Sequence, residues 1–549
     1  MAKNAHDQLI IEFKDTIAEL NSTIKDLRTM LAESSERERV LQEQVDFLTK
    51  KLFGKSSEKR NDVMEGQMSL FGEAGFEDDS EFENAAEDPE EEEFITIEEH
   101  ARKRKTTLAD KLSGITVKKQ YLDVPEDQRI CQKCGTPLEK IGEEFVRREI
   151  EIIKPSAKVI EYYSINYGCP ECKKNATVPY IIKGRDGHPH MLHGMASAST
   201  VAWVMYQKYF NSMPLYRQER DFKMLYGIDI SRTTIAGWII KNALEFFTPL
   251  CQYFQRKLVS GMYAMADETP IQVLKEPGRR AETNSFMWVF RTGEFDKVQI
   301  VLFHYSETRA GQTARDFLEG FHGYLMTDGY GGYNKLKDCI RTSCWSHVRR
   351  YLIDAIPKGK KYDHTQPAVQ GLVYVDRLFE MERKIHAKKG VTFDEIKEFR
   401  LKKEVPVLDG FWKWLDAQHA IKGSRMDKAL IYIRNRKKYL TTYLEDGGCS
   451  FNNNTSERSC KAFVTGRKNW LFADSQDGAV ASALVYSLVE TAKANNVDAY
   501  LYLKYILTQT PTSQTSDEEL EKLCPWNPDC QDALTRMKHD PDNCVPEDK

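Results

Sequence analysis

The sequence predicts a multidomain α+β protein, and three observations predict it. A heptad pattern fills the first fifty residues, two cysteine pairs sit in a strand-rich stretch, and beyond Val259 the hydrophobic period changes from helical to extended. At 549 residues the chain exceeds what one hydrophobic core accommodates. Apolar residues make up 41% and charged residues 30% of it. No run approaches the roughly 18 uninterrupted apolar residues of a membrane helix, so no membrane partner is expected. The opening MAKNAHDQLIIEFKD lacks the basic segment and apolar core of a secretory signal, which points to the cytoplasm.

The first element is a coiled coil over 6–53. Phe13, Ile17, Leu20, Ile24, Leu27, Leu31, Ser34, Glu38, Leu41, Val45, Leu48 and Leu52 alternate by four and three, and ten of these twelve are apolar. Such a seam predicts a homo-oligomer, weakened in the middle by Ser34 and Glu38. Residues 54–105 follow as a flexible acidic linker ending in a basic cluster at Arg102–Lys105. From Asn61 to Ala101 there are 16 acids and no Lys or Arg, so the net −4 leaves about +12 on the rest of the chain. A positive body suits a polyanion. The acidic tract has too few large apolar residues to offset its ordering entropy and reads as a solvated linker; DNA mimicry is the lesser alternative.

A zinc ribbon-like module is expected over 120–183. Cys131-Gln-Lys-Cys134 and Cys169-Pro-Glu-Cys172 supply four thiolates, the complement of tetrahedral structural Zn²⁺, and twelve Cys in a reducing compartment favour ligands over disulfides. Rubredoxin-like iron uses the same ligands, and spacing does not separate the two. Next, 195–248 reads as a helix-turn-helix. Gly227 supplies the turn, Ser231 caps the second helix, and Ile235, Trp238 and Ile239 form its buried stripe. Arg232, Thr233 and Thr234 are left outward, suited to phosphates and base edges.

The largest block, 259–495, reads as an α/β core with a helical insertion at about 355–448, followed by a C-terminal helical region over 496–549. GMYAMADETPIQVL, SFMWVFRTG and KVQIVLFHYS predict three antiparallel strands, TARDFLEGF a helix, and GYLMTDGYGGY a fourth strand. Asp267 lies within the first strand and Asp328 ends the fourth. A carboxylate there is costly unless paired or bound to metal. Glu457 begins a late helix. Three strands, a helix, a fourth strand and a late acid-bearing helix is the order of an RNase H-like fold, whose acids converge on two divalent metals.

These motifs carry a resemblance. LFGKSSEK, the cysteine knuckles, MPLYRQERDF with GIDISRTTIAGWI, ADETPIQVL, TDGYGGY, CWSHVRRYL and NNNTSERSCKAFVTGRKNWLF together resemble the insertion sequence 66 family of DDE transposases. The resemblance implies a metal-binding catalytic triad of Asp267, Asp328 and Glu457 with two Mg²⁺ (or Mn²⁺) ions. It also implies water attack at an element end, then attack by the freed 3′-hydroxyl on target DNA. Double-stranded element ends and target, helper proteins and a bacterial nucleoid setting come with it. Asn452-Asn453-Asn454 stands where similar proteins carry Asp-Asn-Asn. A silent DNA-binding regulator or an RNase H-like nuclease is the alternative.

Around the acids, His347 and Arg349 or Arg350 are candidates for orienting the site or holding phosphate, with Asn453 accessory to it. Arg467 and Lys468, placed one or two turns beyond Glu457, are candidates for gripping the DNA backbone. In the insertion, Arg434, Arg436, Lys437 and Lys438 are candidates for lining a DNA channel.

Overall fold

The computed structural model describes residues 157–168, 181–184, 190–192 and 194–538. The coiled coil over 6–53, the linker, and Cys131, Cys134, Cys169 and Cys172 lie outside them, as does everything beyond 538. Strands β1 (Asn166–Gly168) and β2 (Ile181–Lys183) pair antiparallel on either side of the second cysteine knuckle.

Four helices follow: α1 (Ala198–Tyr209), α2 (Leu215–Tyr226), α3 (Arg232–Asn242) and α4 (Thr248–Val259), the last two joined by a π-turn. The local chemistry read from sequence is present. Gly227 ends α2 at φ 72°, a conformation that spares it a Cβ penalty, and the Ser231 side chain accepts from the Thr234 N–H at the start of α3. Ile235, Trp238 and Ile239 are buried, and they belong to the same hydrophobic core as the central sheet.

That sheet is mixed, with strand order β5-β4-β3-β6-β7. Strands β3 (Tyr263–Lys275), β4 (Asn284–Thr292) and β5 (Val301–Ser306) form an antiparallel meander. After α5 (Gly311–Phe317), β6 (Tyr324–Thr327) and β7 (Ile340–Ser343) add in parallel on the other side of β3. The expected strand and helix order is therefore met. The β5 edge is covered by α12 (Gln476–Ala494), where Ser487 Oγ and Thr491 Oγ1, one turn apart, accept from the Phe303 and Val301 N–H groups at 2.8 and 3.0 Å. Two small hydroxyl residues thus satisfy an edge that would otherwise invite pairing.

From α6 (Trp345–Asp354) the chain enters helices α7 (Pro367–His386), α8 (Phe393–Phe399), α9 (Val405–Asp416) and α10 (Arg425–Thr441), and α6, α7, α9 and α10 share a second core around Trp345, Phe411 and Leu430. It returns through α11 (Asn454–Trp470) and the short β8 (Ala473–Ser475), which pairs with the far end of β3. One expectation is corrected here. Arg467 and Lys468 lie ten and eleven residues past Glu457, about three turns on rather than one or two, because α11 continues through GRKNW. Helices α13 (Ala499–Gln509), α14 (Asp517–Lys522) and α15 (Pro528–Lys538) then pack back, α13 against α1 and α14 against α4.

Candidate active site

Asp267 sits on the central strand. Parallel pairing of β3 with β6 runs to Met265 opposite Met326, and two residues further brings Asp267 level with Asp328 just beyond the end of β6. Neighbouring strands lie about 4.8 Å apart, so the two carboxylates occupy one neighbourhood. Asp267 Oδ1 accepts from the Glu268 N–H at 2.9 Å, and Asp328 Oδ1 accepts from the Tyr330 N–H at 2.8 Å, an Asx-turn that fixes its rotamer. Burial and then the charges of Asp328, Glu268 and Glu457 push the Asp267 carboxyl well above its ordinary range.

Glu457 arrives from the first turn of α11, where the helix dipole favours an acid. Arg350 Nη2 lies 3.2 Å from its Oε2, and His347 Nδ1 lies 3.8 Å from its Oε1. Burial and the Arg350 charge lower the His347 pKa, against the opposing pull of Glu457 and Asp328. Asn453, fully buried, ties the start of α11 to the sheet: its N–H donates to Cys344 Sγ at 3.1 Å and its side-chain amide to the Ala266 carbonyl at 3.4 Å. Asn452 Oδ1 accepts from the Asn454 N–H at 3.0 Å, a local turn bond that Asp at that position also makes. Cys344, His347 and Glu457 bring ligand-type atoms within 4.8 Å of one another, but burial raises the Cys344 thiol to about 11 and keeps it protonated.

The sequence reading missed Glu268. Its carboxylate accepts from Arg309 at 2.8 Å and Tyr333 Oη at 2.6 Å, and it faces the charge of Asp328. The adjacent acids of ADET were the available signal. Also missed was the use of Arg436, which leaves α10, lies over the Tyr432 ring at 4.0 Å and donates to the Gly329 carbonyl. A Cβ on Gly329 would fall 2.1 Å from that guanidinium, so glycine permits the approach.

Other candidates lie apart from the acids. Arg467 donates to the Pro270 carbonyl of β3, and Lys468 is exposed on α11. Arg232 and Thr233 are exposed at the start of α3 and Thr234 is half-buried. Arg434 caps α9 through the Leu415 and Gln418 carbonyls at 3.0 and 2.7 Å, Lys437 pairs with Asp416 at 3.8 Å, and Lys438 is exposed. Arg349 pairs with Asp376 at 2.7 Å, away from Glu457.

Carboxylates clustered around a buried Asp267, whose proton affinity burial and the neighbouring charges raise, with hard oxygen donors from two strands and a helix, fit divalent cations such as Mg²⁺. Fold and site thus define a mixed α/β protein with an acidic centre able to hold metal. Among known proteins, the model described as "Transposase IS66 family" matches residues 193–481, the zinc-finger binding domain of transposase IS66 matches 128–173, the IS66 C-terminal element matches 487–526, and "Transposase C of IS166 homeodomain" matches 40–113. The chain belongs to the IS66 transposase family, and it is accordingly a transposase, an enzyme that cuts and transfers DNA. Uncharacterized protein y4qI of Sinorhizobium fredii (strain NBRC 101917 / NGR234) is 27% identical over 370 residues, 63% of this chain and 67% of the relative. Uncharacterized protein y4jD of the same strain is 26% identical over 420 residues, 74% and 79% of the two chains. A chain of the Drosophila P element transposase strand transfer complex matches with a TM-score of 0.32 and 10% identity, covering 58% of this chain and 96% of that one, too weak a likeness to carry an argument.

Proposed function

We propose that the sheet is an RNase H-like core and that Asp267, Asp328 and Glu457 form the DDE site that cuts element ends and joins them to target DNA. The observation that carries this reading is the convergence of the acids: buried Asp267 on β3 lies level with Asp328 at the end of β6, and Glu457 on α11 is near enough for its charge to act on Asp267. These residues would hold two Mg²⁺ or Mn²⁺ ions, which when bound activate the attacking oxygen and stabilise the leaving oxygen of a phosphodiester. The chain's own part is placement. The Asx-turn holds Asp328, Arg350 aims Glu457, Asn453 fixes α11 against β3, and Arg436 braces the turn after Asp328 from the insertion. Glu268 is paired with the Arg309 charge, accepts from the Tyr333 hydroxyl and acts as a support for that turn.

In the same reading Cys131, Cys134, Cys169 and Cys172 hold structural Zn²⁺, since the matched zinc-finger segment 128–173 spans all four. The α2–α3 pair presents Arg232, Thr233 and Thr234 to DNA, and the amino-terminal heptads join copies so that two ends are held together. Purified protein incubated with Mg²⁺ and duplexes carrying the DNA that flanks its gene tests this. Cleavage and strand joining, both reduced to background in Asp328→Asn, are the expected result. Binding without cutting by the parent protein, supplied with any partner its element encodes, would instead favour a regulator.

A further inference from the structure

The outer face of α11 begins beside Glu457 and ends at a strained apolar tip, and the acid chemistry uses neither. Arg458, Lys461, Thr465 and Lys468 recur at steps of three, four and three, which puts them on one helix face, and Arg458, Lys461, Thr465 and Lys468 are all exposed. From Arg458 to Ala473 the chain carries four cations and no acid. Immediately past the helix, Leu471 adopts φ 67° and ψ −53°, and the Phe472 N–H donates to the Trp470 carbonyl at 2.9 Å. This is the rare, positive-φ form of the γ-turn, unfavourable for any residue with a Cβ.

Packing does not explain it, because Leu471 is 59% and Phe472 42% exposed. Single exposed apolar residues mean little, but here two are held rigidly. Trp470 anchors one side against Phe463, with ring centroids 5.5 Å apart, and Ala473 is paired to Val273 on the other. A cationic helix face that ends in a braced apolar pair matches duplex DNA, with phosphates along the face and an apolar side chain at a base step.

We propose that Leu471 and Phe472 are a wedge that enters a base step of the bound duplex while Arg458, Lys461, Thr465 and Lys468 follow its phosphates. The inference rests on the reading of Asp267, Asp328 and Glu457 as the cutting site. Fourteen residues of helical rise put the tip roughly 21 Å from Glu457, or about six base-pair rises from the cut.

The full chain is tested with duplexes of the DNA flanking its gene, carrying 2-aminopurine at successive steps. Fluorescence should rise near the sixth step from the cut with the parent protein and stay flat with Leu471→Gly or Phe472→Ala, with end binding weakened roughly tenfold. Glycine suits the backbone of the tip, so Leu471→Gly should not lower the melting temperature. Arg458→Ala with Lys461→Ala should reduce the salt slope of binding by about 2. Unchanged fluorescence and affinity in both tip variants, with cleavage still dependent on Asp328, would overturn the wedge and leave the cutting site standing. Absence of cleavage by the parent protein, supplied with any partner its element encodes, would remove both. A change of oligomeric mass in Leu471→Gly with no change in the DNA signal would make the tip a protein contact and also sink the proposal.

Discussion

Asp267 is a residue whose surroundings oppose its charge. Burial and three neighbouring carboxylates raise its pKa above the ordinary 3.8, so the folded protein binds the proton more tightly than the unfolded chain. Stability from this group is therefore present below pH 3.8 and is lost as pH rises through the folded value. At neutral pH without divalent cations, Asp267→Asn should melt higher than the parent, by on the order of a few degrees, although it removes a carboxylate assigned to cutting. Added Mg²⁺ should raise the melting temperature of the parent and reverse the order, because an ion that binds only the folded site stabilises it. Calorimetric melts with and without Mg²⁺ check this; an asparagine variant that melts lower in both conditions would mean that the acid is held by unseen compensation rather than by repulsion.

At the scale of elements, the insertion is organised around a buried cation. Arg400, fully buried, donates to Glu382 at 2.6 and 2.8 Å and to the carbonyls of Tyr443, Asp446 and Cys449, each at 3.0 Å, stitching α7 to the segment that leaves α10. Arg400→Met strands a buried carboxylate and should cost about 3–5 kcal/mol in chemical denaturation. Glu404, four residues on, is raised to about 8 by burial and then by the Glu382 charge. A raised carboxyl makes stability fall as pH climbs from about 4.5 towards 8, so Glu404→Gln should gain on the parent across that window. A constant difference between the two across those pH values would show that Glu404 is ionised throughout. None of this network was legible in the sequence, because charged residues at helical spacing look the same whether solvated or buried. The strands and the α2–α3 turn were legible, since period-two apolar runs, Gly227 and Ser231 act locally. Asp267 and Asp328 were legible as acids in apolar strands, whereas Glu268, Arg436 and the Ser487–Thr491 edge cover depend on partners far away in the chain.

Among the described residues, the sequence boundary at 495 marks no break in packing. The sequence boundary at 495 sets 496–549 outside the α/β core, yet Tyr502, Leu503, Ile506, Leu507, Leu520 and Leu534 are buried in the same hydrophobic core as α1–α4 and the sheet. Tyr502 Oη donates to the Leu523 carbonyl, Tyr253 Oη on α4 donates to Glu521, and Tyr500 meets Trp203 and Tyr206 of α1 edge-on. Helices α1 and α4 are thus held by α13 and α14, a non-local closure that no periodicity reveals. Each large apolar side chain removed from such a core takes about 1.5–3 kcal/mol of burial with it, and six together, roughly 9–18 kcal/mol, are comparable to the about 5–15 kcal/mol that keeps an ordinary domain folded. A chain ending at Asn495 should therefore lose the cooperative melting transition and expose α1–α4 to protease, not merely shed a tail. If that truncation melts at the parent temperature with α1–α4 still protected, the C-terminal helices are an appendage and the boundary drawn from sequence is the physical one.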